Sequence, residues 1–74
     1  MKTKAVESWN TPAAGWRVEG RGFHLHPTLG LYVSRIRDGG WEYGRMTDDG
    51  PVAHDIVYRP INRAKILAEG LVAA

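Results

Sequence analysis

The chain reads as a small α+β domain: an antiparallel sheet of three to four strands with one C-terminal helix packed on a face. Three observations carry this. Residues 31–37 and 41–47 are rich in β-branched and aromatic side chains and flank the turn residues Asp38, Gly39 and Gly40, the pattern of a hairpin. Residues 52–58 are a third such run, set between the turn cluster Asp48, Asp49, Gly50, Pro51 and the strand-ending Pro60. Ala64, Leu67, Ala68, Leu71 and Val72 then recur at helical spacing.

Taken in order, residues 1–15 form an irregular lead-in, 16–58 the sheet and 61–72 the helix, within one domain spanning 1–74. Asn10, Thr11, Pro12 and Gly15 have loop chemistry. Trp9 is expected to dock on its own domain, because a large aromatic ring gains most from burial. Trp16, Arg17, Val18 and Glu19 alternate apolar with charged and open a first strand. Gly20 and Gly22 interrupt it as a bulge or bend would. Phe23, His24, Leu25 and His26 alternate again before Pro27, Thr28, Leu29 and Gly30 turn the chain into the central hairpin. At the far end, Asn62 can cap the helix or Pro60 can sit in its first turn, and Gly70 marks its C-terminus. The small Ala64 and Ala68 let the helix lie close to the sheet.

Which face of the hairpin the helix covers depends on the turn. A two-residue type I′ turn at Asp38 and Gly39 puts Tyr32, Ser34 and Ile36 on one face with Trp41, Tyr43 and Arg45. The other face then carries Leu31, Val33 and Met46 near the base, with Arg35, Arg37 and Glu42 toward the tip. A three-residue loop with a bulge shifts the pairing, since a slip of one residue reverses a strand's faces. Either the Leu31/Val33 face or the aromatic face lies beneath the helix. In both cases the exposed contact surface falls within residues 35–45.

Length and composition narrow the function. A chain of 74 residues hides only about 60% of its unfolded surface, so a homodimer is as admissible as a monomer. There is no cysteine, hence no disulfide framework and no thiolate metal site. No apolar run approaches a membrane span, and the first residues lack a signal-peptide core, so a cytoplasmic protein is expected. The net charge is +2, and seven of the ten basic residues are arginine, whose planar fork suits carboxylates, phosphates and aromatic faces.

Catalytic signals are weak. His24 and His26 share one side of a strand, and His54 or Asp55 could complete a metal site, but no spacing fixes a third ligand. No local motif pairs Ser8 or Ser34 with a histidine. Asp48 and Asp49 are explained by turn chemistry, and Gly20, Gly22, Gly39 and Gly40 open no helix, as a phosphate-cradling loop requires. The expectation is a non-enzymatic binding protein without cofactor or metal. Its partner-binding residues are Arg35, Arg37, Trp41, Tyr43 and Arg45, because arginine and aromatic side chains carry most interface energy and also stack on bases and hold phosphates.

Two resemblances extend this reading. Tyr32 to Arg37, the run Gly40, Trp41, Glu42, Tyr43 and the helical pair Ala64 and Ala68 are similar to the three-stranded DNA-binding domain of AP2 factors and phage integrase arms. That likeness covers about half the chain and implies a small nucleic-acid-binding domain, with Arg35, Arg37, Trp41 and Arg45 entering the major groove. Glu42, Asp48, Asp49 and Asp55 depart from that family's pattern. In style, a chain this short with one α/β unit, no motif and no cysteine resembles phage-encoded host-defence inhibitors, above all anti-CRISPR proteins. That resemblance implies a partner that is a host protein or ribonucleoprotein complex, a Cas effector in the first instance. Its target-DNA binding or nuclease recruitment would be blocked. No shared motif carries residues across from that class.

Overall fold

The structure, a computed structural model, describes residues 11–72; the expectation for Trp9 falls outside them. Five strands follow one another in space as in sequence: β1 (Arg17–Gly20), β2 (Phe23–His26), β3 (Leu31–Arg35), β4 (Trp41–Thr47) and β5 (Gly50–Val57). Every neighbouring pair is antiparallel. Helix α1 (Ile61–Glu69) crosses one face over β3 and β4. The α+β class and the single C-terminal helix are as the sequence predicts. The strand count is five instead of three to four, because the Gly20 to Gly22 interruption is a chain reversal. Val18 pairs with His24 and Gly20 with Phe23, so the residues on either side of it are two strands.

The central hairpin differs from the two-residue expectation. Among the described residues none other than glycine has positive φ, whereas Gly39 has φ 98°. A type I′ turn would need Asp38 there too. The chain forms a three-residue loop instead: Gly39 N–H donates to Ile36 O at 3.1 Å and Ile36 N–H to Gly40 O at 2.9 Å. Only Gly39 takes the left-handed conformation that this loop requires. Ile36 and Arg37 leave the ladder, and β3 ends at Arg35.

Val33 therefore pairs with Tyr43, Arg35 with Trp41 and Leu31 with Arg45. Tyr43 and Trp41 lie on the Leu31/Val33 face, not with Tyr32 and Ser34. That face meets the helix. Leu31, Val33, Tyr43, Ala64 and Ala68 form the buried core, and Trp16, Trp41, Val57, Ile61, Leu71 and Val72 pack around it. Both alanines are fully buried, which lets the helix backbone approach the sheet. Pro60 occupies the N-cap position with no side-chain cap, and Asn62 is exposed. After Glu69 the chain continues only as a turn through Val72, short of a helix reaching 72.

The face opposite the helix is lined by Phe23, Leu25, Tyr32, Ser34, Glu42 and Ile56 through the same register. Phe23 stacks on Tyr32 with ring centroids 5.9 Å apart. The Tyr32 hydroxyl, on a side chain 1% exposed, donates to Glu42 Oε2 at 2.6 Å. Burial, reinforced by that carboxylate, pushes the Tyr32 phenol well above its ordinary range.

The β4–β5 pairing carries a bulge at Tyr43/Gly44, which leaves His54 as the extra residue. Here β5 crosses so close to Gly44 that an added Cβ would strike Val52 O and lie 2.9 Å from His54 N. Gly44→Ala is expected to cost at least about 2 kcal/mol in chemical denaturation, because rigid backbone would have to move. A Cβ at Gly39 meets nothing within 4 Å, so Gly39→Ala should cost only the roughly 1 kcal/mol of the left-handed conformation. Equal costs would contradict the close approach.

Candidate protein-binding surface

In a meander, successive turns alternate between the two ends of the sheet. The β1–β2 turn with Arg21 and the β3–β4 loop with Arg37 therefore share one end, and Arg35 closes β3 beside them. The two turns touch: Arg35 N–H donates to Gly22 O at 2.8 Å. The Arg35 guanidinium carbon lies 5.8 Å from the centroid of the Trp41 ring across the strand pair, a cation–π contact that holds the arginine over the half-buried indole. Arg21, Arg35 and Arg37 are all exposed, and none has a carboxylate partner among the described residues. The loop's own acid, Asp38, is engaged elsewhere: Tyr58 Oη donates to its Oδ2 at 2.8 Å, and Gly40 N–H points to its Oδ1 at 3.4 Å. That hydrogen bond raises the Tyr58 phenol above its ordinary value.

The five residues singled out from sequence thus separate. Arg35, Arg37 and Trp41 come together at the hairpin tip. Tyr43 is 7% exposed beneath the helix and serves the core. Arg45, four ladder positions from Trp41 and so ~13 Å away, is exposed and donates to Leu71 O at 2.7 Å, tying down the chain after the helix. Arg21 and Tyr58 were not singled out as contact residues. Counting β1 and β2 as separate strands would have placed Arg21 at the tip by the parity of the turns alone.

The histidines do structural work. His26 is 4% exposed; its Nε2–H donates to Ala14 O at 2.8 Å and its Nδ1 accepts from Leu29 N–H at 3.2 Å, which fixes the tautomer. Its ring meets Trp16 edge-on at 5.4 Å. Trp16 Nε1–H and Ala13 N–H both donate to Glu69 Oε2 at 2.8 Å, and Lys65 Nζ lies 5.5 Å from the Trp16 centroid. This cluster latches the incoming chain to the helix. His54 lies against Tyr43. Among the described residues no three of His, Cys, Asp and Glu gather as a metal site would need.

No protein-family model, curated protein or solved structure matches the chain.

His24 stands between the tip and the latch. Its ring meets Trp41 edge-on at 6.1 Å, and its Nδ1 is buried with no hydrogen-bond partner among the described residues. Burial, then the Lys65 ammonium, lowers its pKa below the ordinary 6.5. The folded imidazole thus holds a proton less tightly than the unfolded one. As pH falls below 6.5 the unfolded chain takes up more protons, and stability drops until the folded ring also titrates. His24→Gln is expected to flatten the part of the stability loss that falls between about pH 7 and 5. Denaturation midpoints across that window check it; an unchanged slope would contradict the placement.

Proposed function

We propose that the chain is a non-enzymatic protein-binding inhibitor of the phage or mobile-element type. Its partner is a host protein or ribonucleoprotein complex, a CRISPR effector first among them. It acts by occupying the surface on which target DNA or a nuclease would dock. The observation that supports this reading is the tip: Arg21, Arg35 and Arg37 exposed without carboxylate partners among the described residues, beside Trp41 held under Arg35. Arginine and tryptophan are the residues in which interface energy concentrates. Arginine on an aromatic face is also held ready for a carboxylate fork.

Direct duplex reading, the alternative, is less well supported by the register. Arg35, Trp41 and Arg45 sit on the helix-bearing face, which the helix keeps from entering a groove. The face opposite the helix offers Phe23, Leu25, Tyr32, Ser34 and Glu42. Arg17, paired with Leu25 at its rim, is bound to Glu19 at 3.3 Å.

Capture of host proteins on the immobilised chain, with and without nuclease treatment, tests the reading; a partner retained after nuclease supports it. Arg35→Ala and Arg37→Ala are expected to keep the parent's melting temperature, since both side chains are exposed, and each to weaken capture by at least ~2 kcal/mol. Folded variants that bind as tightly as the parent would remove the tip from consideration. Submicromolar, salt-steep gel shifts with DNA would favour the nucleic-acid alternative instead.

A further inference from the structure

Along one edge of the sheet lies β5, the longest strand among the described residues, exposed from Pro51 to Ile56. The helix packs mainly on β3 and β4; Val57 joins the core beneath it, whereas Pro51 to Ile56 stay exposed. Lys65 and Glu69 reach Trp16, which precedes β1. At about 100° per residue, Arg63 and Leu67 fall on the other side of the buried Ala64 and Ala68 stripe, toward β5. Val52 is 56% exposed and Leu67 39% exposed; with the exposed bulge residue His54 they make this flank a partly apolar shelf.

This flank is guarded against an added strand. Pro51 has no N–H to offer, His54 is a bulge residue, and Ile56 N–H is taken by Asp55 Oδ1 at 2.8 Å. Such devices blunt a sheet edge, so any partner here is met through side chains. The charges at the two ends of the shelf identify which partner fits. At the start of β5 the β4–β5 turn residues Asp48 and Asp49 are exposed, and their carboxylates meet no cation among the described residues. Beyond its end, Arg59, Pro60, Asn62 and Arg63 line a depression of about 360 Å³ at the mouth of a helix that has no side-chain cap and no acidic residue in its first turn. A helix start favours negative charge. A two-fold axis through the middle of β5 (Gly50–Val57) sets position 48 opposite 59, because both pairs of numbers share one midpoint. Acid meets base at both ends, with Val52, His54 and Leu67 between.

We infer that the β5 flank is an isologous interface between two copies of this chain, with Asp48 and Asp49 of each seated at Arg59 and the helix start of the other. The inference is independent of the tip and of any host partner, so its test can fail without touching the Arg35 and Arg37 experiment.

Sedimentation equilibrium over a concentration series should show the parent passing from 8.2 kDa to twice that mass, more weakly as salt rises. The Asp48→Arg/Asp49→Arg double variant and the Arg59→Asp variant should each dimerise about tenfold more weakly or worse. An equimolar mixture of the two should recover parent-like association, since each mixed contact again joins opposite charges. Circular dichroism confirms that each variant is folded; if one is not, Leu67→Glu reports on the same shelf and should also abolish the dimer. A parent that stays at 8.2 kDa at every concentration, variants that dimerise as the parent does, or a mixture of folded variants that fails to recover association would each overturn the interface.

Discussion

The pairing of Val33 with Tyr43 is the constraint on which the rest of the structure depends. It puts the tyrosine ring on the face that also carries Leu31 and Val33, and that is the face on which the helix packs. The helix answers with two alanines, because a ring the size of tyrosine fills the gap that a larger helical side chain would otherwise occupy. Shifted by one residue, the hairpin would lift Tyr43 and Trp41 off the core and set Glu42 under the helix, burying a carboxylate without compensation. The loop that prevents the shift is small. Gly39 alone adopts positive φ within it, and the bonds Gly39 N–H to Ile36 O and Ile36 N–H to Gly40 O lock its length.

The same register accounts for the tip. Once Arg35 pairs with Trp41, the arginine has the indole face beneath it, and the meander brings Arg21 to the same end. Charges far apart in sequence become neighbours because turns alternate ends, a consequence of topology and not of any local motif. Asp38 would be the obvious local partner for these arginines, yet it is occupied by the Tyr58 hydroxyl and the loop backbone.

Much of the fold is legible in the residues themselves. The hairpin, the third strand ended by Pro60 and the helix through Ala64 and Ala68 follow from patterning that any reader of the sequence can count. What is not legible has physical causes. Gly20, Arg21 and Gly22 suit a bulge and a reversal equally, and only the Val18–His24 pairing decides between them. Asp38 and Gly39 fit a two-residue turn by composition, whereas the three-residue loop asks positive φ of glycine alone. The candidate site was half legible for the same reason. Arg35, Arg37 and Trp41 lie together in sequence and in space, but whether Tyr43 faced outward hung on the register. Gly44 shows no signal at all in the sequence; its need for a bare Cα arises from β5 crossing over it.

Rigidity at the tip bears on how it could hold a partner. Asp38 is bonded from Tyr58 at the far end of β5, so a strand remote in sequence braces the loop that presents Arg37. Arg35 is braced from both sides, by the Gly22 carbonyl on its own N–H and by Trp41 under its guanidinium. Backbone order is therefore supplied before any encounter, and the main freedom lost on binding is that of the outer torsions of exposed arginines. Immobilising such side chains costs about 0.5–1.5 kcal/mol each, well below the cost of ordering a loop. Arg35 has already surrendered part of that freedom to the indole. Arg37, on the bare loop, has surrendered none. Of two otherwise similar charges, the pre-stacked one should bind a planar carboxylate at the smaller entropic cost, because the Trp41 ring already positions Arg35.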